Sequence, residues 1–219
     1  MSLWVKICGN TSLADAQLTA EAGADAVGFV FAASPRRVTA AQVAAITPHL
    51  PAEIEKIGVF VDADFLEIAE TVEQAGLTGV QLHAGGDGAL SERLRAEFGR
   101  DLRLLQVIHF EADAAAELRA ASANPHIDGI LVDSRTATAV GGTGVAFDWE
   151  AARETVFSPR SGLKLVAAGG LNPANVAQAI EILRPWGVDV VSGVESAPGR
   201  KDPRKVAEFV ANARGAIGG

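Results

Sequence analysis

The strongest constraint on this chain is a rhythm. Short apolar runs of strand length alternate with amphipathic stretches that carry helix caps, from one end to the other. The apolar runs are Leu3–Ile7 (interrupted only by Lys6), Ala26–Phe31, Ile57–Val61, Gly79–His83, Leu104–Ile108, Ile127–Val132 (ending at Asp133), Leu163–Ala168 and Val188–Val191. They are mostly apolar on both faces, as parallel strands covered by helices are. The stretches between them begin and end as helices do. Thr11 or Ser12 can cap a helix to about Ala22, followed by Gly23. Thr39 with Gln42 is a capping-box pattern for a helix to about Ile46. Asp64–Ala75 stops at Gly76, and further helices are expected over Leu90–Phe98, Ala112–Ala121 and from Trp149. Asn172-Pro173 reads as a cap followed by proline at the first helical position, for a helix to about Leu183, and Asp202-Pro203 opens the last helix in the same way. Eight βα units in 219 residues predict an α/β fold, a (β/α)8 TIM barrel with 1–219 as one domain. A doubly wound sheet is the alternative that spacing alone leaves open.

Composition narrows the possible partners. A net charge of −8 and a pI near 5.0 argue against nucleic acid, whose phosphate backbone needs a basic face. They leave room for a small anion held by local cations and helix N-termini. One cysteine, Cys8, makes neither an internal disulfide nor a cysteine-cluster metal site. The N-terminus lacks the basic start and apolar run of a signal peptide. No apolar segment reaches the roughly 18–20 residues of a membrane span. The expectation is a cytoplasmic protein with no membrane and no metal.

Barrel enzymes place their chemistry at strand C-termini and in the βα loops. That rule selects Cys8 after the first strand, Arg36 and Arg37 after the second, His83 at the end of the fourth, His109 after the fifth and Asp133 at the end of the sixth. Gly169-Gly170 and Ser192-Gly193 follow strands seven and eight. Glycines in both loops let backbone amides approach an anion, in the positions where barrels favour phosphate. Tight turns are the plainer explanation of the same glycines. A thiolate on strand one and a carboxylic acid on strand six, facing one another across the mouth, suit proton transfer at a sugar. Taken alone, Cys8 reads rather as a buried small hydrophobe, His83 as a hydrogen-bonded structural histidine and His109 as a loop histidine, while Asp133 reads equally as a turn cap. Lys6, two residues before Cys8, shares its face. Turned inward it would lower the cysteine pKa by its charge; turned outward it would only pair with a helix carboxylate. The long loop Ser134–Phe147, with Gly141-Gly142-Thr143-Gly144 at its middle, breaks the rhythm and is of a length that is often functional.

A set of short stretches runs in a fixed order: Val5-Lys6-Ile7-Cys8-Gly9, Gly23 to Phe31, Ser34-Pro35-Arg36, Gly58 to Val61 and Val80 to His83. It continues through Asp133-Ser134, Gly141 to Gly144, Phe147-Asp148-Trp149, Ala168 to Pro173, Ser192 to Glu195, Pro198-Gly199 and Lys201-Asp202. In these stretches the chain resembles the phosphoribosylanthranilate isomerase family of tryptophan biosynthesis, and the resemblance spans essentially the whole chain. It implies an isomerase that converts N-(5'-phosphoribosyl)anthranilate to 1-(2-carboxyphenylamino)-1-deoxyribulose 5-phosphate. It also implies roles: Cys8 as general base, Asp133 as general acid and Arg36 at the anthranilate carboxylate. Asp189 would lie near the substrate, and the phosphate would sit on Gly169, Gly170, Ser192 and Gly193, while His83 is a candidate substrate contact from its strand-end position. No cofactor is implied, and monomer or homodimer are both open. Arg37 stands where the family often has an aromatic or small residue, and Ala84 where a glycine is common. Related phosphosugar barrels built on paired aspartates, or on lysine and glutamate, are disfavoured by Cys8. A phosphosugar-binding barrel without catalysis is the alternative of a different class, because it would keep the glycine loops and need neither Cys8 nor Asp133.

Overall fold

The computed structural model describes residues 3–83, 88–111, 113–133, 148–157 and 164–216. Eight parallel strands close into a barrel in chain order: β1 (Trp4–Ile7), β2 (Ala26–Val30), β3 (Glu55–Val61), β4 (Gly79–His83), β5 (Arg103–His109), β6 (Gly129–Asp133), β7 (Lys164–Ala168) and β8 (Gly187–Val190). Closure is made by β8 against β1, with Lys6 opposite Asp189 and Ile7 opposite Val190. The expected barrel is therefore present and the doubly wound sheet is excluded. Eight helices follow the strands: α1 (Leu13–Glu21), α2 (Ala40–Ala44), α3 (Phe65–Ala75), α4 (Gly88–Phe98), α5 (Ala114–Ser122), α6 (Trp149–Thr155), α7 (Val176–Leu183) and α8 (Pro203–Gly215).

Local chemistry sets most of these boundaries. Ser12, not Thr11, caps α1 by accepting from Asp15 N–H at 3.2 Å. Thr39 and Gln42 make the reciprocal capping box of α2. Asp64 caps α3, and Gly76 ends it in the left-handed region at φ 61°. Asp202 caps α8 from ahead of Pro203. Two boundaries differ from the sequence expectation. α2 stops at Ala44 with Ala45 as its C-cap, and a 3-10 turn with Pro48 in its first positions follows at Thr47–His49. α7 begins at Val176 rather than at Pro173. Asn172 instead accepts from Ala174 N–H at 2.9 Å, while its own N–H donates to Asn175 Oδ1 at 2.8 Å. Those side-chain bonds hold a turn where a helix would otherwise start.

Alternate strand residues divide the core. Val5, Ile7, Val188 and Val190 face outward and pack with Val206, Phe209 and Val210 of α8. Phe29, Val80 and Leu104 pack with Val43, Ile68 and Val72 of α2 and α3. The barrel interior is filled at its lower end by Trp4, Ile57, Leu105, Leu131 and Val166. Above them the lining turns polar, with Lys6, Gln81 and Asp189 all buried. One element lay outside the sequence expectation, a short antiparallel hairpin between β8 and α8. It is made of β9 (Glu195–Ala197) and β10 (Arg200–Lys201), turned at Pro198-Gly199, with Gly199 at φ 76°.

Candidate active site

The C-terminal mouth gathers the residues that the strand-end rule selects. Cys8 continues β1, its N–H donating to Val190 O at 2.8 Å, and it is buried and free. It fits because the inward position beside it on β2 is Gly28. A Cβ there would lie 2.5 Å from Cys8 Sγ. Beneath Cys8, Lys6 is fully buried and points inward. Its Nζ donates to Asp189 Oδ1 at 2.9 Å and to Gln81 Oε1 at 3.0 Å. The choice left open by the sequence is thus decided for the inward rotamer.

The effect on Cys8 is smaller than expected. Burial pushes the Cys8 thiol up. The Lys6 ammonium pulls it down and the Asp189 carboxylate pushes it up again, so that its pKa stands above the ordinary thiol value. Lys6 acts in the expected direction and is outweighed by desolvation. Lys6 itself loses stability as a cation by burial, but Asp189 and Cys8 more than offset this and raise its pKa.

Asp133 ends β6 and is buried, its carbonyl accepting from Phe110 N–H at 2.9 Å. Cys8 and Asp133 are three strands apart by way of β8 and β7. The position diametrically opposite β1 belongs to β5, so it is His109 rather than Asp133 that faces Cys8 across the ring. His109 is the last residue of β5, paired in register with Asp133. Its ring lies 5.4 Å from that of His83, and its Nδ1 is buried without a hydrogen-bond partner. Sequence reasoning placed His109 just past the strand. The residue that alternates with Leu105 and Val107 on the inner face is His109, and that periodicity was the available signal.

Arg36 follows β2, and its guanidinium is gripped by Glu195 of β9, with Nε donating to Oε1 at 2.8 Å and Nη2 to Oε2 at 2.6 Å. Arg37 is exposed, so of the two arginines it is Arg36 that lies against the mouth. Burial pushes the Glu195 carboxyl up. The hydrogen bond from Arg36 and the charges of Lys201 and Arg36 more than reverse this, so it stands below its usual range. Lys201 Nζ donates to Cys8 O at 2.5 Å and lies 3.4 Å from Glu195 Oε1. Burial lowers the Lys201 pKa against the opposing pull of Glu195. Gln81, Glu195 and Lys201 were missed as site residues. Gln81 shares a face with His83, so alternation would have found it. Glu195 and Lys201 stand in stretches that carry the family resemblance, but no periodicity or strand-end position assigns them to the site.

The two glycine loops come together. Gly169 and Gly170 adopt φ 82° and 66°, a fold-back that side chains rarely adopt. A Cβ on Gly193 would overlap the Leu171 carbonyl oxygen and lie 3.0 Å from Asn172 Cα. The loops after β7 and β8 therefore meet at bare backbone, with Ser192 at the start of a 3-10 turn. The expected loop Ser134–Phe147 lies outside the described residues. Among the described residues, no group of three or more His, Cys, Asp or Glu side chains could hold a metal. No helix among them is long and apolar enough to cross a membrane.

The sequence profile of a family described as N-(5'phosphoribosyl)anthranilate (PRA) isomerase matches residues 5–212. An N-(5'-phosphoribosyl)anthranilate isomerase of Acidithiobacillus ferrooxidans is 42% identical over 214 residues, covering 96% of this chain and 97% of its own. That of Geobacter sulfurreducens is 41% identical, covering 96% and 98%. Among solved structures, phosphoribosyl anthranilate isomerase from Thermotoga maritima superposes with a TM-score of 0.84 at 35% identity, covering 97% of this chain and 99% of its own. A phosphoribosyl anthranilate isomerase in complex with reduced 1-(o-carboxyphenylamino)-1-deoxyribulose 5-phosphate superposes with a TM-score of 0.81 at 33% identity, covering 97% and 99%.

Proposed function

This chain belongs to the N-(5'-phosphoribosyl)anthranilate isomerase family, and on that footing we propose which of its residues carry the reaction. The activity is the Amadori rearrangement of N-(5'-phosphoribosyl)anthranilate to 1-(2-carboxyphenylamino)-1-deoxyribulose 5-phosphate, an isomerisation in tryptophan biosynthesis. Asp133 is the general acid. It protonates the furanose ring oxygen as the C1–oxygen bond breaks, and the nitrogen lone pair closes to an iminium. Cys8 thiolate is the general base and removes the proton from C2. The C2–H electrons form the C1–C2 double bond and neutralise the nitrogen. The resulting enolamine tautomerises to the ketone, losing its hydroxyl proton and gaining one at C1. C1 is reduced and C2 oxidised within one molecule, so the electrons balance without an external carrier.

Arg36 meets the anthranilate carboxylate, and His83 and Asp189 line the sugar. Gly169, Gly170, Ser192 and Gly193 receive the phosphate. The observation that supports the assignment best is the setting of Cys8. Its thiol stands at a strand end in the mouth, directly above a buried ammonium, in space that Gly28 leaves for it. A phosphosugar-binding module would need neither this thiol nor Lys6 beneath it. We read 1–219 as one barrel domain acting in the cytoplasm on a small phosphorylated substrate, without nucleic acid or membrane, as a monomer or homodimer.

The test is steady-state isomerisation, followed by loss of anthranilate fluorescence. Cys8→Ala and Asp133→Asn should each lower kcat by about 10²–10⁴-fold, with the reduced carboxyphenylamino ligand still bound. Near-normal turnover in either variant sinks that residue's role.

A further inference from the structure

We infer that Glu195 is the positioning residue of the carboxylate clamp: it fixes the Arg36 guanidinium beside the Cys8 loop and, through Lys201, joins clamp and base into one unit. The inference rests on the reading of Arg36 as the group that meets the substrate carboxylate. A carboxylate in a mouth that must receive a substrate with two anionic groups, a phosphate and a carboxylate, is repulsive by itself. Here it is almost fully buried, with its side chain 4% exposed, and two cations accompany it. Arg36, Lys201 and Glu195 together leave one net positive charge facing the mouth.

The geometry is that of an orienting clamp. Glu195 takes the Nε–Nη2 edge of a planar fork that carries five donors. Two-point contact fixes both the plane and the direction of the guanidinium, which one-point contact would leave free to rotate. The orientation in which Arg36 meets a second carboxylate is thereby set.

The grip is itself anchored. Glu195 Oε1 accepts from Gly199 N–H at 3.2 Å and Lys201 Nζ at 3.4 Å, and its carbonyl accepts from Lys205 Nζ at 2.9 Å. Thr11 Oγ1 donates to Gly199 O at 2.6 Å, tying the hairpin to the β1 loop. Lys201 also holds the Cys8 carbonyl. The Arg36 stem lies on Gly9, the residue after Cys8, so closely that a Cβ there would sit 2.8 Å from Arg36 Cδ. Clamp and base thus share one support, which sets where the Arg36 guanidinium stands relative to the Cys8 thiol.

The experiment compares two ligands on four proteins. The ligands are the reduced carboxyphenylamino deoxyribulose phosphate and the same compound without its ring carboxylate. The proteins are the wild type, Glu195→Gln, Glu195→Asp and Arg36→Met, with dissociation constants by calorimetry and Tm alongside. The wild type should favour the carboxylated ligand by about tenfold or more, as a bidentate charge-assisted pair does. Glu195→Gln should reduce that preference at least about fivefold while affinity for the ligand without carboxylate stays. If Glu195→Gln does not fold, Glu195→Asp is read by the same ratio, since it keeps the charge opposite Lys201 but is too short to grip both nitrogens. A smaller reduction, with Arg36→Met losing the preference, would mean that Glu195 only staples the hairpin and would overturn the inference. An Arg36→Met variant that keeps the preference overturns the clamp reading, and the inference with it.

Discussion

Replacing Gly28 with alanine drives a methyl group into the space of the Cys8 thiol. The new Cβ would lie 2.5 Å from Sγ, 2.9 Å from Cys8 Cβ and 3.0 Å from Cys8 Cα. Unstrained contacts between such atoms are about 3.5–4.0 Å. A rotamer change can swing Sγ aside, but the overlaps with Cβ and Cα remain, so β1 itself must shift. Overpacking of this kind costs about 1–3 kcal/mol. At about 2–4 °C per kcal/mol for a chain of this size, the Tm should fall by roughly 2–12 °C. The thiol must move by about 1 Å, a displacement that can cost about 10²-fold in rate. KM should change much less, because no proposed phosphate or carboxylate contact is touched. Two measurements check this, kcat by the fluorescence assay and Tm. A cycle with Cys8→Ala adds a third. With Sγ gone, Gly28→Ala should cost less stability, giving a coupling of about 0.5–3 kcal/mol. If Gly28→Ala keeps kcat within about twofold of wild type, a displacement that ought to cost far more has not occurred. Gly28 would then be an ordinary strand residue and the placement of the thiol would be wrong.

The remaining predictions concern protons and the phosphate. As the proposed base Cys8 must lose its proton, and burial raises its pKa. The rising limb of kcat/KM with pH should therefore lie above about 8.5, the ordinary thiol value, and a limb below it would count against Cys8 as the base. The same shift makes stability decline as pH rises from the unfolded thiol pKa through the folded one, since the folded state holds the proton longer. Lys6→Met removes the ammonium that pulls the thiol down, so the limb should move higher still. It also leaves Asp189 buried and unpaired, at about 3–5 kcal/mol, and a denaturation midpoint near wild type would refute the pairing. Gly193→Ala places a methyl where two loops touch at bare backbone. KM should rise about tenfold or more with kcat less affected, as for lost ground-state binding, and an unchanged KM would remove Gly193 from the phosphate site.

The positions of these residues were legible to different degrees. The capping box at Thr39, the glycine stop at Gly76 and the proline-led start of α8 are short-range events, written within four residues of one another. They were read from the sequence because the hydrogen bonds that make them are local. The strand ends at Cys8, His83 and Asp133 followed from the same periodicity. The start of α7 was misread because Asn172 and Asn175 offer the backbone a turn as favourable as a helix cap. The β9–β10 hairpin was not foreseen because strands this short carry almost no periodicity.

By itself the sequence determined that eight βα units form on strands apolar on both faces, and which side chains stand at the strand ends. Only the tertiary structure decided who meets whom. Lys6 pairs with Asp189 across 183 positions and with Gln81 across 75; Arg36 finds Glu195 across 159, and Lys201 reaches Cys8 across 193. The physical reason is closure. Whether β8 docks on β1 with Asp189 opposite Lys6 depends on twist, tilt and stagger summed over the whole barrel. Those quantities leave no local pattern. They turn a lone buried ammonium into a neutralised pair, and they turn an exposed-looking arginine into one held by a buried carboxylate beside the Cys8 loop.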